Sequence, residues 1–136
     1  MPISIVKQYS VFLINEPGAL KSFAELFVRE NVDIIAMAQD VRYDAAVVLL
    51  AVEHDKGISH TLTKSGFTSV KTEAICLDMP NRIGILRDVG LVLANHGINI
   101  TTFYGASGVN GNTRWIIVVN DITKALNALE SSGLFE

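Results

Sequence analysis

The chain reads as an α+β protein built from two copies of one βαββαβ unit. Three observations predict this. The corner "NEPGAL", residues 15–20, returns 66 positions later as "NRIGIL", each time after an apolar run and before a helix-like pattern. With Gly18 aligned on Gly84, Asn15 meets Asn81, Leu20 meets Leu86, Phe23 meets Val89, Leu26 meets Val92 and Phe27 meets Leu93. Farther on, Val32-Asp33-Ile34 meets Ile98-Asn99-Ile100, so the match covers nearly the whole chain.

Each half gives the same order of elements. Residues 8–14 and 73–79 read as strands. Leu20, Phe23, Leu26 and Phe27 recur at helical spacing, as do Leu86, Val89, Val92 and Leu93. "ENVDI" and "HGIN" close those helices, with Gly97 suited to a left-handed cap. Second strands are expected over 32–40 and 98–105, turns at "RYDA" and "SGVNGNT", and third strands at "AAVVLLAV" and "RWIIVV". Second helices carry Ile58 and Leu62 in one half, and Ile122, Ala125, Leu126 and Leu129 in the other. Asn120 or Asp121 offers the N-cap of the latter, and Gly66 and Gly133 stop the two. This is the ferredoxin-like order, an antiparallel sheet with both helices on one face. The expected units are residues 1–70 and 71–136.

After Gly133 only "LFE" remains, too little for a last strand of the second unit, whereas "ISIVKQYSVFLIN" is long for one strand. Residues 3–6 are therefore expected to supply the missing edge strand of the second unit. Apolar residues stand at consecutive positions in "VFLI", "AAVVLLAV" and "WIIVV", so both faces of these strands call for cover and a homodimer is expected.

Composition bounds the function. Of 136 residues, 49% are hydrophobic and 18% charged, as in a soluble globular protein. No apolar run reaches the length of a membrane span, and no basic, apolar leader opens the chain, so neither membrane insertion nor export is expected. The single cysteine, Cys76, fits a reducing cytoplasm and reads as a small buried hydrophobe. A net charge of −3 gives no reason to expect nucleic acid as a partner. His54, His60 and His96 lie at no familiar ligand spacing, so no metal and no other cofactor is expected. No nucleophile elbow is present, no catalytic residue is assigned, and "GASGVNG" lacks the phosphate-loop pattern and reads as a hairpin. Tyr9, Tyr43, Tyr104 and Trp115 could form a base-stacking surface on this topology, but the basic, aromatic strand signature is missing. Arg114 and Trp115 read instead as hairpin edge and core.

The corner carries the chemistry. A proline in the first turn of a helix forfeits no hydrogen bond, and glycine permits a tight turn and close approach of a ligand. A Cβ at Gly18 or Gly84 is expected to crowd that turn. The amides over residues 18–20 (Gly18, Ala19, Leu20) and 84–86 (Gly84, Ile85, Leu86) point out of a helix N-terminus, where free N–H groups and the helix dipole favour an anion such as a carboxylate. Asn, Pro and Gly also make ordinary strand-to-helix turns, so the corner alone supports both readings.

The repeated Asn-x-[Pro/Ile]-Gly-x-Leu corner and the "GIN"-like start of strand two, in tandem βαββαβ units, resemble the ACT domain family, small regulatory modules that bind amino acids. The closest likeness is to small stand-alone proteins made of two such domains. The resemblance implies a non-enzymatic sensor whose ligand lies between two domains, at the corner of one and the strand-two start of its neighbour. By position it marks Asn15, Asn81 and Asn99. Asp33 stands where the first half would carry the strand-two Asn, and Ile83 where the second corner would carry Pro. One implied site combines Asn81, Arg82 and the amides near Gly84 with Asp33; the other combines Asn15, Glu16 and the amides near Gly18 with Asn99. The first offers a cation to a carboxylate and an anion to an ammonium, so it is the expected one. Two other readings remain open: an acylphosphatase-like enzyme on the same topology, with Arg82 binding phosphate and Asn81 positioning water, and a structural interaction domain with vestigial loops.

Overall fold

The computed structural model describes residues 2–42, 45–54 and 57–135. They form six antiparallel strands and four helices: β1 (Ile3–Ile14), α1 (Ala19–Arg29), β2 (Ile34–Arg42), β3 (Ala45–Val52), α2 (Ile58–Lys64), β4 (Thr68–Pro80), α3 (Ile85–Asn95), β5 (Ile100–Ser107), β6 (Asn112–Val119) and α4 (Ile122–Glu130). The order βαββα occurs twice, from β1 to α2 and from β4 to α4, and β4 also closes the first βαββαβ. None of the helices is long and apolar enough to cross a membrane.

The chain divides into two compact units, Val6–Thr72 on the one hand and Met1–Ile5 with Glu73–Glu136 on the other. Both divisions fall inside strands. β1 gives its first three residues to the second unit and the rest to the first, and β4 passes from the first to the second between Thr72 and Glu73.

In the Val6–Thr72 unit, β3 pairs antiparallel with β1, Val11 opposite Val48, and with β2, Met37 opposite Leu50. Alternate residues Tyr9, Val11 and Leu13 of β1 and Val48, Leu50 and Val52 of β3 meet Phe23, Leu26 and Phe27 of α1 and Ile58 and Leu62 of α2 in one core. Each fully buried aliphatic or aromatic side chain there contributes about 1.5–3 kcal/mol. Phe23 sits at its centre, edge-on to Phe27 at 5.0 Å and to Phe67 at 5.5 Å. The other sheet face is open: Phe12 is 47% and Ile14 71% exposed, beside half-buried Val47 and Leu49. Tyr9 is fully buried, so it offers no stacking face to a base; Tyr43 lies outside the described residues.

In the other unit, β6 pairs with β4 and β5, and Ile75, Leu77, Met79 and Ile117 meet Ile85, Val89 and Leu93 of α3 and Ala125 and Leu129 of α4. Ile3 joins this core at 9% exposure, and the Asp78 N–H donates to the Pro2 carbonyl at 2.8 Å. Cys76 is buried, and half-buried Trp115 packs on Phe103, ring centres 5.3 Å apart. The β5–β6 connection turns through left-handed Asn110 and Gly111, with the Gly108 N–H on the Asn112 carbonyl at 2.8 Å.

The second strands begin two residues later than the sequence pattern predicts, at Ile34 and Ile100. The reason is how the helices end. Asn31 (φ 54°) and Gly97 (φ 68°) adopt the left-handed conformation, and the N–H groups of Val32 and Ile98 return to the carbonyls of Phe27 and Leu93 at 2.9 and 3.0 Å. That closure satisfies orphan carbonyls and commits the next residues to the cap, not to a ladder. At α4, Asp121 is the cap, its carboxylate accepting from the Lys124 N–H at 3.1 Å; Asn120 accepts from the Asn99 N–H at 3.1 Å instead.

Candidate functional site

The two corners share one backbone device. Gly18 (φ 83°, ψ −7°) caps α1 and Gly84 (φ 91°, ψ −3°) caps α3, both left-handed and both without a side-chain hydrogen bond to the first turn. A helix begun this way lacks the Ser, Asp or Asn oxygen that satisfies first-turn amides; the Ala19 and Ile85 N–H groups turn back to the carbonyls of Glu16 and Arg82 at 3.2 and 3.5 Å, and the amides after them are the ones open to water or a ligand. Pro17 precedes the cap, outside the helix, which corrects its expected place in the first turn: its fixed φ shapes the turn instead. Ile83, in the equivalent position, is fully exposed.

The reason glycine is required also differs from expectation. A Cβ built on Gly18 meets no atom within 4 Å, and on Gly84 only the Arg87 Nη2 at 4.0 Å. Positive φ, not crowding, excludes other side chains.

Around the first corner, the Glu16 N–H donates to the Ile14 carbonyl at 3.0 Å and its own carbonyl accepts from Ala19 at 3.2 Å. Asn15, Glu16 and Leu20 are exposed and Ala19 half-buried. A cavity of about 370 Å³ opens here, lined by Phe12–Ile14, Glu16–Ala19, Ser22, Gly66 and Phe67. Asp33, exposed, is not part of it; with Asn31, Val32, Glu53 and His54 it lines a separate cavity of about 460 Å³ in the same unit.

At the second corner Arg82 is not a free cation. Its Nη2 lies 3.0 Å from Asp88 Oδ2, while Arg87 donates to Asp88 Oδ1 through Nη2 at 3.1 Å and Nε at 3.3 Å. The Arg82 guanidinium first, and Arg87 second, hold the Asp88 carboxyl below its usual range. Asp88 sits in the first turn of α3, where the helix dipole also favours an anion. This clamp was missed by pattern reading, although an acid six residues after Arg82 was visible. Ile85 is 4% exposed in the core and its N–H donates to the Arg82 carbonyl at 3.5 Å, so neither its side chain nor its amide is free; Leu86 is exposed. Asn81 lines a cavity of about 640 Å³ with Ser107, Asn112, Thr113, Trp115 and the hairpin glycines. Asn99 keeps its side chain exposed while its backbone exchanges bonds with Asn120, the Asn120 N–H reaching the Asn99 carbonyl at 3.2 Å.

Burial pushes the Tyr104 phenol up, with Cys76 adding to the effect, so it stays protonated at neutral pH. Among the described residues, no group of three His, Cys, Asp or Glu side chains is placed to hold a metal.

No protein-family model and no curated protein sequence matches the chain. Solved structures do. A protein of Bacteroides thetaiotaomicron superposes with a TM-score of 0.83 at 23% identity, over 96% of this chain and 90% of that one. The regulatory subunit of aspartate kinase from Thermus thermophilus, in its ligand-free form, matches with a TM-score of 0.69 at 11% identity, over 98% of both chains. A C-terminal regulatory domain of aspartate kinase from Porphyromonas gingivalis matches at 0.64 and 15%, over 97% of this chain and 96% of that one. The fold is ACT-like. At these identities the likeness is one of fold, and the corner Gly18 and Gly84 hold its two strand-to-helix turns.

Proposed function

We propose that the chain is a non-enzymatic regulatory protein that binds a free amino acid at an ACT-type corner and acts in the cytoplasm as a homodimer. The observation that carries the reading is the duplicated corner, two helices each capped by a left-handed glycine that brings no side-chain oxygen to the first turn. Such an end attracts a carboxylate. The fold shared with regulatory parts of aspartate kinase supports it. The ligand set in this reading comprises Asn15, Glu16 and the Gly18–Leu20 amides, or Asn81, Arg82 and the Gly84–Leu86 amides, completed by Asn99 or Asp33 from a neighbouring unit. Arg82 then acts through the Arg82–Asp88–Arg87 cluster, which keeps one net positive charge. The acylphosphatase reading is weakened by that ion pair, because the arginine it needs for phosphate already holds a carboxylate.

A melting screen against the twenty amino acids tests the proposal. A ligand that binds only the folded chain at a hundred times its dissociation constant adds about 2.7 kcal/mol and raises the melting temperature. No shift with any of the twenty would sink it.

A further inference from the structure

We infer that the cavity at the β5–β6 hairpin is a binding site for a neutral, polyhydroxylated ring of the monosaccharide kind. The inference stands apart from the amino-acid reading. Asn81 is the one corner residue in these walls, and neither Arg82 nor residues 84–86 line them.

The hairpin builds a firm wall. Gly105 stands opposite Trp115 and Ser107 opposite Thr113. Beyond them the Gly108 N–H donates to the Asn112 carbonyl at 2.8 Å, and the Asn112 N–H to the Val109 carbonyl at 3.1 Å. Two of the hairpin glycines are needed for space. A Cβ on Gly105 would lie 3.0 Å from Cζ3 of Trp115, and one on Gly108 would lie 2.9 Å from the Asn112 carbonyl oxygen. The indole therefore lies across Gly105, with its ring centre 5.3 Å from that of Phe103. At about 640 Å³ the cavity is in the range of small-molecule sites.

The chemistry of the walls decides the ligand class. Among the described residues, no Asp, Glu, Lys, Arg or His lines the cavity, so nothing in its walls pairs with the charge of an ionised guest. The walls offer the hydroxyls of Ser107 and Thr113 and the side-chain amides of Asn81 and Asn112. Each of these groups both donates and accepts, and so does every hydroxyl around a sugar ring. A nucleobase instead needs an aromatic face free for stacking, and the indole is already packed on Gly105 and Phe103. The Trp115 indole N–H is buried without a hydrogen-bond partner, an uncommon state for a donor in a folded chain. A hydroxyl oxygen of the guest is the acceptor that would satisfy it.

Titration of the full chain with methyl β-D-glucopyranoside and with myo-inositol tests this, followed by amide NMR and by the emission of Trp115, the single tryptophan of the chain. Saturable shifts are expected at Ser107, Gly108, Gly111 and Thr113, with a parallel change in emission. Cyclohexanol, a six-membered ring with one hydroxyl, and 1-methyluracil, a base without a sugar, should bind at least about tenfold more weakly, as for two or more lost hydrogen bonds. Thr113→Val keeps the branched shape and removes the hydroxyl; it should weaken binding about fivefold, as for one lost hydrogen bond. Ser107→Phe, at an exposed strand position that suits an aromatic residue, should fill the cavity and abolish the shifts, its melting curve showing that the chain still folds. No saturable shift with either polyol, equal binding of cyclohexanol or 1-methyluracil, or unchanged affinity in Thr113→Val or Ser107→Phe would overturn the proposal. None of the probes carries a carboxylate or an ammonium, so these results are independent of whether a free amino acid binds at the corners.

Discussion

Arg82 and Asp88 close the second corner on itself: the guanidinium stands 3.0 Å from the carboxylate, tying the residue two places before the Gly84 cap to the first turn of α3. The pair makes the corner's charge a shared property of Arg82, Asp88 and Arg87, and its stability is linked to pH. The Asp88 carboxyl lies below its ordinary value of 3.8, so its contribution is complete above that value and is lost as pH falls through the lower folded value. Asp88→Asn should therefore lower the melting temperature at pH 7, and its curve should converge on that of the parent chain in acid. A constant gap from pH 7 to pH 2 would show that the ion pair is not the cause.

The caps should discriminate by backbone angle. Gly84→Asn is expected to be tolerated better than Gly84→Val by about 1 kcal/mol in urea unfolding, because Asn accepts the left-handed conformation and a β-branched residue does not. In the anion-site reading, Gly84→Val also lowers ligand affinity more than it lowers stability. Equal losses in both would favour a plain turn.

Ile3 should matter to residues far from it in sequence. It lies in the core of the unit that contains Glu73–Glu136, so Ile3→Ala should cost about 2 kcal/mol or more, the range of a large-to-small core change. Removing residues 1–5 should speed hydrogen exchange at the Asp78 amide, which bonds to Pro2. Unchanged exchange there would refute the strand contribution.

The choice between corners can be read by calorimetry with whichever amino acid the melting screen selects. Asp33→Ala should abolish binding if the Asn81–Arg82 corner is used, and Asn99→Ala if the Asn15–Glu16 corner is. We expect the former, since Glu16 opposes a carboxylate. Loss with Asn99→Ala alone would reverse the assignment.

Assembly has its own test. The face carrying Val47 and Leu49 is half-buried, with Phe12 exposed beside it, and we expect a second copy to cover it. Light scattering at micromolar concentration should give a dimer, and Val47→Glu a monomer. A monomeric parent chain would remove the dimer from the proposal.

The sequence by itself determined the two-fold repeat, the βαββαβ order, the helix stops at Gly66 and Gly97 and the core stripes such as Phe23, Leu26 and Phe27. These are local matters: side-chain period and the backbone freedom of single residues. Tertiary structure decided the rest. The strand-two starts moved because Val32 and Ile98 bond back to the helix before them. Asp121 became the cap while Asn120 went to Asn99, a choice between neighbours that local propensity does not make. Arg82 met Asp88, and Phe67 met the first corner, because helix capping and strand pairing brought side chains together that no periodicity links. A repeat is written in spacing and can be read from one line of residues; a cavity is written in the distances between elements, which exist only once the chain has folded.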